Sequence, residues 1–529
     1  MVHPTKTPDS EFFLNADSFF PRAGVALTYD DVSLSTLYSD ILPRDADTTT
    51  DLGRGLVLSV PIISSDMDTV TESRMAIALA LNGGMGILHY NMGTAEQIRE
   101  VASVKHHVHG VISRPITVKL EREGGLTIGH VLAMVAEKGY GFHTFPVVDG
   151  EGKLAGLLPG TTVRERHAAK KVADVMVKGE ALLVVREAEL GDDPIRVADR
   201  FFDRHPWCNK LPVVDDEGRL KGLITASDIE RILHETSSKH KPNRDADFRL
   251  RVAAAMPTTR RADGTLDTDK LAEHAAGLVA EGVDAFAVST AHGHTAGVGE
   301  AVKFLSEHFK DVPVIAGNVT TAAAVDYLAG QGASVVKVGQ GPGSICTTRL
   351  VAGVGIPQMT ALYVCSRSES VRKGKTTLLA DGGINKSGDI VKALTLAHGV
   401  VLGGLLAGCP EAPGELLEID GKVYKRYRGM GSLSAMAKGS AIRYGHTAQA
   451  AGLKKTAAEG VEAIKEAAGP VSDVLATLVG GLQSGMGYLG ASDLASLRER
   501  ALYCRVSPAG QKEAAPHDII ELKASSTAK

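Results

Sequence analysis

VPVIAGNVTTAAAVDYLAGQGASVVKVG, residues 312–339, holds two short apolar runs, VPVIAGNV (312–319) and ASVVKVG (333–339), around a helix-patterned stretch. Each run ends in glycine or a small polar group, and their spacing leaves room for one crossover helix. That is the signature of a parallel β/α unit, whose strands are apolar throughout because both faces are covered. Six more runs repeat it: VPIISSDM (60–67), MGILHYN (85–91), LRVAAAM (250–256), DAFAVST (284–290), TTLLADGG (376–383) and GVVLGG (399–404). Eight β/α units predict a TIM (β/α)8 barrel, with its site at the C-terminal ends of the strands. A doubly wound open sheet is the competing architecture.

At 529 residues the chain exceeds one ordinary core, and a large barrel plus a smaller module fits that length. A formal net charge of −4 argues against a nucleic-acid surface, which needs clustered Lys and Arg. A small-molecule substrate is the better expectation. The five cysteines, 208, 346, 365, 409 and 504, form no C-x-x-C pair, so neither a disulfide framework nor a zinc site is indicated. No signal-peptide core or membrane-length apolar run is found, and the terminal SSTAK is not a clear peroxisomal address. The expected location is cytoplasmic.

Between the second and third strands, residues 107–240 are too many for a loop and carry their own repeat. FHTFPVVDGEGKLAGLL (142–158) returns as CNKLPVVDDEGRLKGLI (208–224), each copy reading as strand, acidic-glycine turn and strand. The chain therefore divides into a first barrel part (1–106), an inserted tandem module (107–240, copies at about 110–170 and 174–235) and the remaining barrel (241–529). The repeat resembles a pair of cystathionine-β-synthase (CBS) domains. The resemblance implies purine nucleotide binding, with Thr225 and Asp228 of TASD offering a hydroxyl and a carboxylate to a ribose. The first copy has PGTTV there, without an aspartate, and capping of the following helix is an equal reading for the second.

GQGPGSICTTRL (339–350) follows the sixth strand, where a barrel places a catalytic loop. Glycines 339, 341 and 343 let backbone amides approach an anion, and Ser344 adds a hydroxyl. An isolated cysteine is ordinarily a small buried apolar residue; the glycines and the strand-end position favour a nucleophile at Cys346. ADGGI (380–384) and LGG (402–404), after strands seven and eight, occupy the usual phosphate-binding loops of barrels. Asp381 is placed to accept hydrogen bonds from ribose hydroxyls, or to cap. The pair His292 and His294 lacks a third ligand at metal spacing.

GPGSICTTR, ADGGI, SSDMDTVTE (64–72), GNV (317–319), APGE (412–415), YRGMGSLSAM (427–436) and RY (443–444) occur in an order that resembles the IMP dehydrogenase family over nearly the whole chain. The resemblance implies attack of the Cys346 thiolate on C2 of IMP, hydride transfer to NAD, and hydrolysis of a covalent thioimidate to XMP. It implies Cys346, Thr348, Arg443, Tyr444 and Glu459 as catalytic residues, with Arg443–Tyr444 or Thr348–Glu459 handling the water proton. Substrate contacts would come from Ser64, Met67, Asn318, Ser344, Arg349, Asp381, Gly382, Gly383, Gly403, Gly404, Tyr427, Met430, Gly431 and Glu459. Ser289, Thr290, His292 and Asn318 would line the NAD side. A potassium ion would sit on carbonyls of Gly341, Gly343 and Cys346, completed by Glu513 of a neighbouring subunit. A homotetramer is implied, which CBS pairing can extend to an octamer.

Two positions depart from that pattern. Ser289 stands where the family usually has an aspartate, and Gly404 replaces a serine in the phosphate loop. The rival reading is GMP reductase, which shares the barrel, the cysteine and the Thr–Glu pair but uses NADPH. A third is a nucleotide-sensing protein whose barrel has lost activity.

Overall fold

The computed structural model describes residues 12–107, 112, 115–120, 125–138, 140, 142–191, 193–236, 241–444 and 457–516. The terminal SSTAK and residues 1–11 lie outside them. The chain forms two compact units, residues 1–104 with 251–529, and residues 105–250.

The first unit is a closed parallel barrel. Its strands are β1 (Ile62–Ser64), β2 (Met85–Leu88), β3 (Val252–Ala255), β4 (Ala285–Ser289), β5 (Val314–Val319), β6 (Val335–Val338), β7 (Thr377–Asp381) and β8 (Gly399–Leu402). All eight expected runs are strands, each slightly shorter than its apolar run. At β1 the expected 60–67 ends at Ser64, because Ser65–Met67 turns back through a Met67 N–H to Ser65 carbonyl bond of 2.8 Å. β8 closes on β1 through the pairs Val400 with Ile62 and Leu402 with Ser64.

Side chains two apart on a strand share a face, so the lumen fills in layers. The lower layers are apolar: Ile63, Ile87, Ala255, Ala287, Ile315, Val335, Leu379 and Val401 pack with Leu52, Leu56 and Leu58 from the preceding hairpin. One step further along, the same faces of β4, β5, β6 and β7 carry Ser289, Gly317, Lys337 and Asp381. The barrel thus changes from hydrocarbon to charge on approaching its C-terminal end.

After β8, an antiparallel sheet of Leu416–Ile419, Lys422–Arg428 and Glu462–Glu466 rises from the barrel, with the helix Leu433–Lys438 and the turn Ser440–Tyr444 between its last two strands. Arg428 at its root donates to both Asp68 oxygens, one at 3.1 Å, and Asn91 donates to Asp68 at 2.6 Å.

The second unit has two similar halves. Val118–Lys119, Phe145–Val148 and Leu154–Leu158 form one three-stranded sheet, and Val185–Arg186, Lys210–Val214 and Leu220–Thr225 form the other. Both central strands shift register at the same point of the repeat, between Val147 and Val148 and between Val213 and Val214. Thr225 Oγ1 donates to Asp228 Oδ2 at 2.7 Å at the start of the helix Ala226–Thr236.

Candidate active site

Cys346 lies in a loop that only glycine could build at two points. Gly339 has φ +146°, and a Cβ there would stand 2.1 Å from the Asp381 carbonyl oxygen; Gly341 has φ +80°. The loop is strapped to the segment holding Glu459. Thr347 N–H donates to the Glu459 carbonyl at 3.2 Å, Val461 N–H to the Ile345 carbonyl at 3.1 Å, and Cys346 bridges to Gly460. The Cys346 thiol sits 3.1 Å from Thr348 Oγ1.

This loop faces an open cleft of about 1040 Å³ at the C-terminal end of the barrel. Ser344, Gly403, Gly404 and Tyr427 converge at one end: a Cβ on Gly404 would stand 3.4 Å from Ser344 Oγ, and one on Gly403 3.1 Å from the Tyr427 hydroxyl. Burial pushes the Tyr427 phenol up to about 12, so it remains a donor. Gly382 and Gly383, at φ +96° and +80°, line the same cleft and pass so close to Pro342 that a Cβ on either would meet it at 2.9 or 3.2 Å. Small residues and hydroxyl donors at the ends of β7 and β8 suit a phosphate.

Asp381 is fixed further in. Its Oδ2 accepts from Asn318 Nδ2 at 2.8 Å and pairs with Lys337 Nζ at 3.1 Å. Asn318 Oδ1 is buried without a partner among the described residues, and its residue lines the cleft. A second cleft, of about 1960 Å³, runs outward past Thr290, His292, Thr295 and Val354. Thr290, Ala291, Gln340, Thr348, Arg443, Tyr444 and Glu459 border both clefts, so a molecule in each would meet beside Cys346.

Arg443 stands at that junction, with Nη1 2.7 Å from Asp66 Oδ2. Burial alone would lower its pKa; the Asp66 carboxylate outweighs that and holds it above the ordinary value. The guanidinium is therefore a fixed cation. Burial also raises the Tyr444 phenol, partly offset by Arg443, which keeps it protonated. Two adjoining clefts, a thiol in the first of them beside their shared wall and a phosphate-sized end suit a nucleotide and a second ligand. The profile of the IMP dehydrogenase / GMP reductase domain matches residues 26–517.

The chain belongs to the IMP dehydrogenase / GMP reductase family.

Its relatives in this family include the inosine-5′-monophosphate dehydrogenases of Halalkalibacterium halodurans, 43% identical over 93% of this chain and 96% of that protein, and of Bacillus subtilis, 42% identical over 95% and 97%. Among solved structures, a GMP reductase from Trypanosoma brucei in complex with guanosine 5′-monophosphate is similar at a TM-score of 0.77 and 33% identity, covering 94% of this chain and 98% of that one.

The family's expected site residues mostly gather here. Met67, Asn318, Gly341, Gly343, Ser344, Cys346, Thr348, Asp381, Gly382, Gly383, Gly403, Gly404, Tyr427, Met430, Arg443, Tyr444 and Glu459 line the first cleft, and Thr290 and His292 the second. Five expected residues are placed otherwise. Ser64 is wholly buried, its hydroxyl accepting from Thr71 at 2.8 Å, and its neighbour Ser65 faces the cleft instead. Arg349 donates to the Gln340 and Ile356 carbonyls at 3.2 and 2.6 Å, holding the loop's shape. Gly431 lies under Tyr444, whose ring a Cβ would meet at 2.7 Å. Ser289 is buried and accepts from Lys337 at 2.7 Å, turned into the lumen and bordering neither cleft. Glu513 lies exposed on the helix Pro508–Glu513, away from both linings within this chain. Sequence reasoning missed Asp66, Lys337 and Gln340, whose amide donates to the Ala291 carbonyl and to His292 Nδ1 at 3.0 Å each. Gln340 stood inside the glycine loop and was the one with a signal. Among the described residues no cluster of His, Cys, Asp or Glu could hold a metal ion.

Proposed function

We propose that the chain is an IMP dehydrogenase, oxidising IMP to XMP with NAD through a covalent bond at Cys346. The observation that carries this reading is the thiol lining a cleft with a phosphate-sized end, 3.1 Å from Thr348, which with Arg443 and Tyr444 borders both that cleft and the second one. Ser344, Gly382, Gly383, Gly403, Gly404 and Tyr427 hold the phosphate, Asp381 and Asn318 the ribose, and Met430 and Glu459 the base. The Cys346 sulfur adds to C2, beside Thr348 Oγ1 at 3.1 Å. NAD, bound past Thr290 and His292, supplies the hydride acceptor. Water then attacks C2, its proton leaves through Thr348 towards Glu459, and the C2–S bond breaks to return the thiolate. Arg443 is a poor base in this setting because Asp66 stabilises its charged form; its part is electrostatic.

The same reading includes the remaining expectations. Potassium is held by carbonyls of Gly341, Gly343 and Cys346 with a neighbour's Glu513; the Gly343 carbonyl also accepts the Cys346 N–H at 3.1 Å. The repeated unit is a CBS pair that binds a purine nucleotide through Thr225 and Asp228, and the assembly is a tetramer or octamer in the cytoplasm. No described helix is long and apolar enough to cross a membrane.

GMP reductase is the second reading, favoured by the Asp66–Arg443 pair, since reductive deamination needs no hydrolytic base. The two separate in one assay: purified protein with IMP and NAD, and with GMP and NADPH, followed by reduced-nicotinamide absorbance. NADH and XMP from the first mixture alone support the dehydrogenase; NADPH consumption in the second alone overturns it.

A further inference from the structure

The top layer of the lumen contains a charge arrangement centred on Lys337 and Ser289, which take no part in the reaction above. Lys337 is wholly buried, and its ammonium has three donors. Two of them reach Asp66 Oδ1 at 2.9 Å and Ser289 Oγ at 2.7 Å, and the ammonium forms an ion pair with Asp381 Oδ2 at 3.1 Å, the three partners lying on different strands or strand ends. Gly317, paired with both Ser289 and Lys337 across the sheet, clears the space, since a Cβ there would stand 2.7 Å from Lys337 Cβ. Asp66 is equally buried and faces both ways. Its Oδ1 takes Lys337, while its Oδ2 and its backbone carbonyl take Arg443 Nη1 at 2.7 and 3.1 Å.

Two cations, Lys337 and Arg443, thus meet two carboxylates, Asp66 and Asp381. A buried cluster of this kind tolerates neither a missing partner nor a surplus charge. A carboxylate at position 289 would compete with Asp66 for Lys337 and leave three anions against two cations. With a neutral hydroxyl there, Lys337 has two hydrogen bonds and its ion pair with Asp381, and Asp66 keeps one oxygen for Arg443.

We propose that Asp66 is a positioning residue, tying Arg443 to the barrel interior as a fixed cation beside the reacting carbon, and that Ser289 is the neutral third partner of Lys337 that makes this possible. The proposal rests on the dehydrogenase reading, in whose hydrolytic half Arg443 acts. During that half the water oxygen bonds to C2, one water proton passes through Thr348 to Glu459, the second stays on the product, and the C2–S electron pair returns to Cys346. Arg443 neither gains nor loses a proton.

The test uses the full chain and three proteins: the parent, Asp66→Asn, and the double variant Asp66→Ala with Ser289→Asp. The double variant gives Lys337 a carboxylate from the other side without offering one to Arg443. Rapid mixing with IMP and NAD reads the first-turnover NADH; steady-state assays give kcat and the KM for IMP; melting gives Tm. Asp66→Asn is expected to keep its NADH burst and IMP KM within about threefold while kcat falls about ten- to a hundredfold, the scale of a misplaced group. The double variant should regain Tm over Asp66→Asn but not kcat. An Asp66→Asn kcat within about twofold of the parent, or a double variant that regains both Tm and kcat, overturns the proposal. Failure of both variants to fold also overturns it, because Asp66 would then be a structural ion-pair partner only. A parent that makes no NADH defeats the dehydrogenase reading itself, and is seen before any variant is assayed.

Discussion

In the proposed mechanism Cys346 and Thr348, 3.1 Å apart, divide two roles. Replacing Cys346 with alanine removes the group proposed to bond C2, so NADH formation should fall by about 10³-fold or more while IMP still binds, as calorimetry would read. Retained turnover would mean that the chemistry does not pass through sulfur. Thr348→Val keeps the shape but removes the hydroxyl; steady-state turnover should fall by about 10²-fold, with the NADH burst much less affected. Equal loss in burst and steady state would place Thr348 before hydride transfer. The cysteine and threonine were legible in the sequence because glycines and a strand end mark their loop. Asp66 and Lys337 were not: they stand 271 positions apart and meet only when the barrel closes, and an aspartate after two serines or a lysine within an apolar strand carries no local sign of its partner.

At the scale of elements, the site depends on how closely the β6 loop passes the end of β7. Gly339→Ala would force a Cβ against the Asp381 carbonyl at a φ that L residues avoid. We expect a loss of about 2–3 kcal/mol in unfolding free energy, read by denaturant titration, together with reduced turnover. Unchanged stability would show that the loop can move away from β7 at little cost. All eight barrel strands could be read because strands covered on both faces are continuously apolar. The antiparallel sheet at 416–466 escaped such reading, since its last strand, Glu462–Glu466, is exposed along its whole length and shows no alternation. Arg443, Tyr444 and Glu459 were therefore found by resemblance and not by pattern. Ser289 was assigned to the cofactor because it stands where the family usually has an aspartate; it keeps the strand's inward phase and points into the lumen instead.

For the whole molecule, β2 and β3 are direct hydrogen-bonded neighbours, and residues 105–250 form a unit with its own cores. Excising that unit and joining residues 104 and 251 by a short Gly-Ser linker should leave kcat within about threefold, because linker closure costs grow slowly with length. A collapse of activity would show that the barrel needs the insert to form. Stability should also depend on pH through two histidines. Burial lowers His274 and His398 to about 4 each, His398 with a smaller push from Arg498. The unfolded chain therefore binds more protons than the folded one between about pH 6.5 and pH 4, and stability declines as pH falls through that window, by on the order of 2 kcal/mol per histidine. Melting at pH 7.5 and 5.0 checks this, and a Tm that is flat or higher at pH 5.0 contradicts it. The pairing of β2 with β3 and of β1 with β8 also bears on biosynthesis. At ~5–20 residues per second, the first two strands leave the ribosome tens of seconds before β8 can close against them. Their apolar edges are open throughout that interval while the inserted unit is already being made, so the slow step in producing this enzyme is the wait for the far side of its barrel, and shielding by chaperones should raise yield more than any stabilising substitution in the insert.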